Sequence, residues 1–386
     1  MPGGDADSAR DAGDAMSIGL CMIVKDEAHV IERCLRSVKP YVQHWTVVDT
    51  GSSDGTPELV TRLMAGVPGA VVHRPWVDFG HNRTEALRLA RPHTDYSWVI
   101  DADEEFVAPE TFRFPDTSAD AVVMNHIDKL SFARIALLAN RLEWSYVGVI
   151  HETPEVPGGA KSLDWVDGAF VRIRYDGGRS KGLSVAEKYA RDVLVLEKAV
   201  QDEPDNSRYQ YYLARSYAIT GRSAQALEAY RRRIAMGGTS EEVFHSHLET
   251  ARLLQVSGAG PDEVIAAHLA AWQARPTRAE PLVALATWCR THSRFPLGRM
   301  IARQATEIAR PTRDVLWVDE SVYAWRARAE YALCTLGGGD LATAVPLLQE
   351  LLEQTGVPAP TRAALAATLA RVGGAVPAQA VGPRVG

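Results

Sequence analysis

The chain has 386 residues, of which 46% are hydrophobic and 23% charged, and its formal net charge is -6 at pH 7. This length and composition are typical of a soluble protein with two domains, and the acidic balance argues against nucleic acid as the main partner. An anionic substrate would therefore need a local device, such as a metal ion or a well-placed arginine.

Cysteine usage and the ends of the chain predict a cytoplasmic protein. No two of the four cysteines have the Cys-x-x-Cys spacing, so reduced structural thiols are favoured over a zinc site. The composition predicts disordered tails over residues 1–16 and 373–386. No apolar run approaches the roughly 20 residues that a membrane helix requires, so we expect no membrane insertion.

Four apolar runs predict the first part of a parallel sheet. Residues 18–24 are apolar throughout, as in a strand that is buried on both faces. Further strands are predicted at 45–49, 70–73 and 96–100, with a helix in each interval, the last from about residue 83 to residue 90. This alternation predicts an open, mostly parallel α/β sheet, in which ligands bind beyond the carboxyl ends of the strands.

Polar segments follow three of these strands, at residues 25–27, 49–54 and 101–103. Each alone is explained equally well by a helix start or a solvated loop. Because the carboxyl ends of parallel strands share one edge, we expect the three segments to converge on one crevice. Asp101 and Asp103 are two apart, so in an extended chain both point to one side, where they could hold a hard cation.

The middle of the chain is less regular. Strands are predicted at 121–124 and 134–138, and the short apolar segment 146–152 ends in His151 and Glu152. Residues 170–175 alternate between apolar and polar side chains, as in an edge or covering strand.

After Lys181 the composition changes to that of helices. Residues 210–230 place small and aromatic side chains at the offsets of a tetratricopeptide repeat, and weaker copies run to Pro276 and Pro311, 35 positions apart. A fourth helical pair is predicted at 322–352. We therefore place an α/β domain at 17–180 and tetratricopeptide-like helical repeats at 181–372.

Four motifs in the first hundred residues carry a resemblance to a known family. In order they are Met22-Ile23-Val24-Lys25-Asp26-Glu27, Val48-Asp49-Thr50-Gly51-Ser52-Ser53-Asp54-Gly55-Thr56, Asp78-Phe79-Gly80-His81-Asn82-Arg83 and Asp101-Ala102-Asp103-Glu104. Together they resemble the family-2-type inverting glycosyltransferases of the GT-A fold. The segment Gly148 to Glu152 and the helical repeats resemble the bacterial subgroup with a tetratricopeptide extension, which includes the sublancin-type transferases. Asp26 departs from the family, which commonly has Asn there.

The resemblance implies a nucleotide-sugar site. By it, Ile23, Val24 and Glu27 line the nucleoside pocket, Asp49 contacts the base or ribose, and Arg83 lies near the diphosphate. From the sequence alone, a helix-surface arginine explains Arg83 equally well.

The resemblance also implies a metal cofactor, Mg²⁺ or Mn²⁺, which bridges the two phosphates. Asp101 and Asp103 match the aspartate pair of the family, with Asp103 as the favoured direct ligand. His151 is a further candidate ligand, although a buried structural histidine is at least as common.

Inverting transfer by direct displacement requires a carboxylate that takes the acceptor's proton. The candidates are Glu152, Asp128 and Glu105. We favour Glu152, because it ends an apolar segment on the acceptor side of a GT-A site, although a surface acid is an equally common explanation.

These features predict a metal-dependent inverting glycosyltransferase that moves a sugar from a nucleotide-sugar donor, with UDP favoured, to a peptide, glycan or secondary-metabolite acceptor. The alternative is a catalytically silent nucleotide-binding scaffold whose repeats bind a protein partner; Asp101, Asp103 and Arg83 argue against it. Nucleotidyl transfer is disfavoured, because no Gly-rich, basic loop follows the first strand. The repeats could hold the acceptor, cap the sheet or form a homodimer.

Overall fold

The computed structural model describes residues 16–128, 130–178, 182 and 184–373, so most of both predicted tails lies outside the described residues. The chain forms two compact units, Met1–Glu203 and Pro204–Gly386. The division follows helix α4 (Val185–Asp202), which belongs to the first unit, whereas the sequence analysis placed this helix with the repeats.

Within the described residues, the first unit contains a nine-stranded sheet with the order β3-β2-β1-β4-β7-β6-β11-β5, and β10 pairs with β6 beside this path. A separate hairpin joins β8 to β9. The strands are β1 Ile18–Val24, β2 His44–Asp49, β3 Gly69–His73, β4 Tyr96–Val99, β5 Glu104–Val107, β6 Ala121–Ile127, β7 Ser131–Ala139, β8 Ser145–Val147, β9 Thr153–Glu155, β10 Leu163–Trp165 and β11 Phe170–Ile173.

The parallel part of the sheet positions the polar segments. Strand β1 pairs in parallel with β2 and with β4, and β2 pairs in parallel with β3. In this register Val24 lies opposite Asp49, and Cys21 lies opposite Val99. The segments that follow β1, β2 and β4 therefore leave the sheet at the same edge, as the alternation of strands and helices predicted.

Strand β11, which the alternation of side chains predicted as an edge or covering strand, is the second strand from the side of the sheet. Strand β11 pairs in parallel with β6 and antiparallel with β5, so β5 is the edge strand. The acids Glu104 and Glu105 begin β5, and Glu105 lies directly opposite Arg172. Cross-strand ion pairs of this kind stabilise antiparallel pairing, which explains why an acidic segment continues into a strand here.

Three helices cover the parallel strands. Helix α1 (Ile31–Val38) buries Ile31, Cys34, Leu35 and Val38 against the sheet, and α2 is Thr56–Leu63. Helix α3 (Phe79–Ala90) begins four residues earlier than predicted, because the Asp78 side chain accepts a hydrogen bond from the His81 N–H and caps the helix.

The second unit is built from consecutive helices, and their pairing matches the predicted repeats. Its helices are α5 Ser207–Ile219, α6 Ser223–Met236, α7 Ser240–Val256, α8 Pro261–Ala274, α9 Glu280–Thr291, α10 Phe295–Thr306, α11 Ala327–Gly337, α12 Leu341–Glu353 and α13 Ala359–Gly373. A π-helical turn, Val322–Arg326, leads into α11. In the part of the chain that the structure describes, no helix has the length and apolar character needed to cross a membrane.

Candidate active site

The turns that follow β1 and β2 are interlocked by side chains. The Asp26 carboxylate accepts hydrogen bonds from the N–H and the hydroxyl of Ser53, at 2.8 and 3.1 Å. The Glu27 N–H donates to the Thr56 hydroxyl at 2.9 Å. Asp26, where the resembling family commonly has Asn, therefore fixes the backbone that carries Glu27.

Asp49 is 2% exposed, and its carboxylate accepts hydrogen bonds within the turn that follows β2. Its carboxylate accepts hydrogen bonds from the N–H groups of Gly51 and Ser52 and lies 3.1 Å from Nδ1 of His73. Burial alone would raise the pKa of Asp49, but hydrogen bonds from Ser52 and His73 outweigh it and lower the pKa. Its assigned contact with a base or ribose stays a prediction.

Ile23 and Val24 differ in position although they are adjacent. The Val24 side chain is buried in the core between the sheet and α1, and its carbonyl accepts hydrogen bonds from the N–H and the hydroxyl of Thr50. Ile23 lines a small gap together with Arg83 and Val99. A nucleoside pocket beyond β1 would therefore meet the backbone of Val24 rather than its side chain.

Arg83 joins two carboxylates from separate parts of the first unit. Its Nη2 donates to Oδ1 of Asp101 at 2.6 Å, and its Nε donates to Oε1 of Glu152 at 2.7 Å. The Arg83 side chain is only 12% exposed. Because helix α3 carries Arg83 inward, this residue is not the helix-surface arginine that the sequence also allowed.

Arg134, on β7, extends this cluster and was missed by the sequence analysis. Its Nη1 lies 3.6 Å from Oδ2 of Asp101, and its Nη2 donates to Oε1 of Glu104. Arg134 is the one charged residue of the mostly apolar strand 131–139, which is a signal for an acidic partner nearby, and its side chain is 41% exposed.

The pKa values of Asp101 and Glu104 are shifted in opposite directions, although the arginines lower both. Burial alone would raise the pKa of Asp101, but Arg83 and Arg134 outweigh it and hold this pKa well below its usual range. Burial raises the pKa of Glu104 to about 7, although Arg134 opposes the change.

A tight turn between β8 and β9 places Glu152 against Arg83. The Tyr146 N–H donates to the Thr84 hydroxyl at 2.9 Å, which ties β8 to α3. Gly148 has φ +125°, and a Cβ there would lie 3.2 Å from the Cα of Glu152. The turn thus depends on glycine at position 148, and His151 also has a positive φ, of 53°.

Asp103 and Glu27 are covered by backbone amides instead of arginines. The Gly177 N–H donates to Oδ2 of Asp103 at 3.2 Å, and the Gly178 N–H lies 3.0 Å from each carboxylate oxygen of Glu27. Burial raises the pKa of both carboxyls, and for Asp103 the charge of Asp101 adds to it. Among the described residues, no arginine or lysine forms an ion pair with the Asp103 carboxylate.

The donor set fits a hard divalent cation that is bound mainly through a nucleotide. The residues that the structure describes contain no group of three or more His, Cys, Asp or Glu side chains that could hold a metal, so Asp101, Asp103 and His151 do not form a three-ligand cluster. Magnesium in nucleotide sites commonly uses only one or two carboxylates together with substrate phosphates. Asp101 is engaged by two arginines, which leaves Asp103 as the better ligand.

The other candidate bases have different surroundings. The Glu105 carboxylate pairs with Arg172 at 3.0 Å and with Arg174 at 3.1 Å, across β5 and β11. Asp128 is exposed beyond the end of β6. Glu152 alone of the three contacts Arg83, so the geometry supports it best as the base, although this role stays a prediction.

The fold and this edge of the sheet define a class of protein. A mixed sheet of GT-A type, with acidic residues beyond β1, β2 and β4, is followed by tetratricopeptide-like helical pairs. Residues 20–112 match the family model described as glycosyl transferase family 2.

Comparison with known proteins gives similar sequences and similar solved structures. A TPR repeat-containing protein of Synechococcus elongatus is 43% identical over 97 residues, which are 25% of this chain and 23% of the relative. The SPbeta prophage-derived glycosyltransferase SunS of Bacillus subtilis is 20% identical over 238 residues, 58% of this chain and 54% of the relative. The chain thus spans about half or less of these relatives. A crystal structure of MamA protein aligns with 44% of this chain and 89% of its own length, at 15% identity and a TM-score of 0.36.

Proposed function

We propose that this chain is a metal-dependent inverting glycosyltransferase that uses a nucleotide-sugar donor, with a UDP-sugar favoured. The observation that carries the proposal is the position of Arg83, whose buried guanidinium links Glu152 to Asp101 beyond the carboxyl ends of the parallel strands. The family-2 match over residues 20–112 supports the same class of reaction.

The proposed reaction forms one bond and breaks another. An acceptor atom attacks the anomeric carbon, the bond from that carbon to the donor's diphosphate oxygen breaks, and the nucleoside diphosphate leaves with the bonding electrons. Glu152 takes the acceptor's proton as general base. Arg83 orients Glu152 through the bond from Nε to Oε1, so the base has a fixed direction before substrates bind.

Asp103 is the proposed protein ligand of Mg²⁺ or Mn²⁺. A bound cation would offset the negative charge that develops on the leaving diphosphate. Around this site the carboxylates of Glu27, Asp101 and Asp103 lie close enough to affect one another's pKa, which favours added positive charge. His151 stays a weaker candidate ligand.

The acceptor would be one of three kinds of molecule. A peptide, a glycan or a secondary metabolite each fits the reaction. The tetratricopeptide-like pairs would hold the acceptor or a second copy of the chain, and the reaction would take place in the cytoplasm.

A donor panel tests the proposal. Sugar nucleotides would be screened with and without Mn²⁺ by thermal shift and by slow donor hydrolysis. We expect one donor to bind in a cation-dependent manner and to be hydrolysed slowly. Binding without hydrolysis or transfer would favour the silent nucleotide-binding scaffold instead, and no binding by any donor would contradict the proposal.

Matched variants separate the roles of the acids. Asp103→Asn should remove the cation dependence of donor binding and leave the fold intact. Glu152→Gln should keep donor binding but lower hydrolysis and transfer by at least about 100-fold, the usual contribution of a general base. Glu155→Gln, in an exposed position on β9, is the control. Normal turnover by Glu152→Gln would assign the base to another residue.

A further inference from the structure

The segment Asp176-Gly177-Gly178, which follows β11, lies against the carboxylates of Asp103 and Glu27. Consecutive N–H groups of this segment, those of Gly177 and Gly178, donate to Asp103 and to Glu27. These acids follow different strands, β4 and β1, so the segment bridges two strand ends of the candidate site.

The absence of side chains allows this close approach. A Cβ at Gly177 would lie 2.9 Å from Oδ2 and 3.0 Å from Cγ of Asp103. A Cβ at Gly178 would lie 2.9 Å from the carbonyl oxygen of Lys25 and 3.1 Å from Oε1 of Glu27. Real Cβ atoms essentially never come closer than 3.0 Å to a backbone oxygen, so glycine is required by proximity at position 178, whereas a side chain at position 177 would displace the Asp103 carboxylate.

An ion pair anchors the segment. The two terminal nitrogens of Arg33 donate to the Asp176 carboxylate, Nη2 at 2.8 Å and Nη1 at 3.2 Å. Nη2 also donates to the carbonyl of Asp103 at 3.0 Å. Nε2 of His29 lies 2.9 Å from the carbonyl oxygen of Asp176. Helix α1 and the residues just before it thus hold the segment from outside while its amides face the carboxylates.

The arginines of the site are already paired with carboxylates, which leaves backbone N–H groups as candidate ligands for a diphosphate. Arg83 already contacts Asp101 and Glu152, and Arg134 contacts Asp101 and Glu104. The amides of Gly177 and Gly178 carry no such charge pairing, and an N–H that donates to a carboxylate oxygen can donate equally to a phosphate oxygen. Successive backbone N–H groups are a recurrent anion-binding element.

We infer that Gly177 and Gly178 bind the diphosphate of the donor through their backbone N–H groups, which pass from the carboxylates of Asp103 and Glu27 to phosphate oxygens when a cation occupies Asp103. The inference rests on the proposed function, since it concerns the same donor site. It makes the segment 176–178 a positioning element for the leaving group.

Substitution at the two glycines tests the inference. The probe is the nucleoside diphosphate, among UDP, GDP, TDP, ADP and CDP, that binds the wild-type chain most tightly with Mn²⁺, and the corresponding nucleoside serves as the comparison. By titration calorimetry, Gly177→Ala and Gly178→Ala should each weaken diphosphate binding by about tenfold. Nucleoside binding by Gly177→Ala should change less than twofold; this comparison uses Gly177→Ala alone, because a Cβ at Gly178 would also meet Glu27, which is expected to line the nucleoside pocket. Gly356→Ala is the control, because its added Cβ would meet no atom within 4 Å.

The anchor gives a second, milder variant. Arg33→Gln should weaken diphosphate binding by about threefold, and Arg36→Gln, on the same helix with its side chain 71% exposed, should have no effect. Diphosphate binding by both glycine variants that is as tight as that of the wild-type chain, or a loss of nucleoside binding by Gly177→Ala as large as its loss of diphosphate binding, would overturn the inference. If the wild-type chain binds no nucleoside diphosphate at all, the proposed function fails as well.

Hydrogen exchange tests the inference on the unaltered chain. A peptide containing Gly177 and Gly178 should exchange faster with Mn²⁺ alone, because the cation competes for the Asp103 carboxylate. Exchange should slow again when the diphosphate is added. A rate that stays the same in all three states would overturn the inference even if the diphosphate binds.

Discussion

Arg83 is the residue on which the geometry of the candidate site depends most. One guanidinium contacts Asp101, beyond β4, and Glu152, beyond β8. Arginine suits this position because its planar fork can donate to two partners in fixed directions, whereas lysine offers a single point charge.

We predict that Arg83→Ala destabilises the first unit by roughly 3 kcal/mol, because it leaves the largely buried Glu152 carboxylate without this ion pair and leaves Asp101 with Arg134 alone. Arg83→Lys should cost less, since it keeps the charge, but should still abolish donor hydrolysis because one ammonium cannot hold both acids. Thermal and urea unfolding measure the first effect. Arg88→Lys, exposed on the same helix, is the control, and an unchanged melting temperature in Arg83→Ala would contradict the prediction.

The two aspartates of the Asp-Ala-Asp segment show what spacing alone misses. The sequence placed Asp101 and Asp103 together as one potential metal pair. In the structure Arg83 and Arg134 engage Asp101, while backbone amides meet Asp103. No local pattern encodes this difference, because the arginines come from α3 and β7, well separated along the chain from each other and from the acids.

At the scale of elements, glycine sets how closely the helices of the second unit can pack. A Cβ at Gly298 of α10 would lie 2.8 Å from Sγ of Cys334 on α11 and 3.1 Å from Cβ of Cys289 on α9. Three helices therefore meet at this position.

We predict that Gly298→Ala lowers the stability of the second unit by about 1–3 kcal/mol, the usual cost of overpacking a close-packed core. The higher helix propensity of alanine opposes this by roughly 1 kcal/mol. Circular dichroism during thermal unfolding should show a lower melting temperature than wild type. Gly356→Ala, with open space around it, should not lower it; equal behaviour of the two variants would mean that the helices separate at no cost.

A second prediction at this scale concerns pH. His268 on α8 is fully buried, and burial, with a smaller contribution from Arg252, lowers its pKa to about 4. An unfolded histidine has a pKa of about 6.5, so the unfolded chain binds the proton more tightly between these values. Stability from this group is therefore present above about pH 6.5 and is lost as the pH falls toward 4.

His268→Leu should reduce the loss of unfolding free energy between pH 7 and pH 4.5 by up to about 3 kcal/mol. Urea unfolding at the two pH values measures this difference. Because the unfolding free energy of each protein is compared between its own two pH values, the packing change caused by leucine cancels. The same pH dependence in wild type and variant would show that His268 is protonated without cost in the folded state.

At the scale of the whole molecule, the chain joins two units with separate cores. The first is organised around the sheet, and the second around small and apolar side chains of consecutive helices. Units of this kind often unfold in separate steps, so a single melting temperature need not describe the chain.

Calorimetry of the full chain should resolve more than one unfolding transition. A saturating nucleoside diphosphate with Mn²⁺ should stabilise only the first unit. At a ligand concentration of about 100 times the dissociation constant, its free energy of unfolding should rise by about 2.7 kcal/mol, which raises the temperature of its transition. Asp103→Asn should lose this shift and keep the other transition unchanged. A shift of both transitions would show that ligand binding also stabilises the helical unit.

Local sequence patterns were sufficient for most of the elements. The continuous apolar runs matched the parallel strands, and the tetratricopeptide offsets matched the pairs from α5 to α12, because side-chain periodicity reflects which face of an element is buried. The start of α3 and the whole of strand β5 were missed, because a capping side chain sets the first and cross-strand ion pairs favour the second.

The charge pairing at the strand ends depended on tertiary structure alone. The residues of the candidate site were visible as acids beyond strands, because strand direction places those ends at one edge of a parallel sheet. The sequence did not show which acid pairs with an arginine and which accepts a hydrogen bond from a backbone amide. Arg83, Arg134 and the segment 176–178 are far apart along the chain, and the folded sheet brings them to this edge. Electrostatic partners depend on distance in space, whereas periodicity depends on position along the chain, and this physical difference separates the predictable part of the protein from the rest.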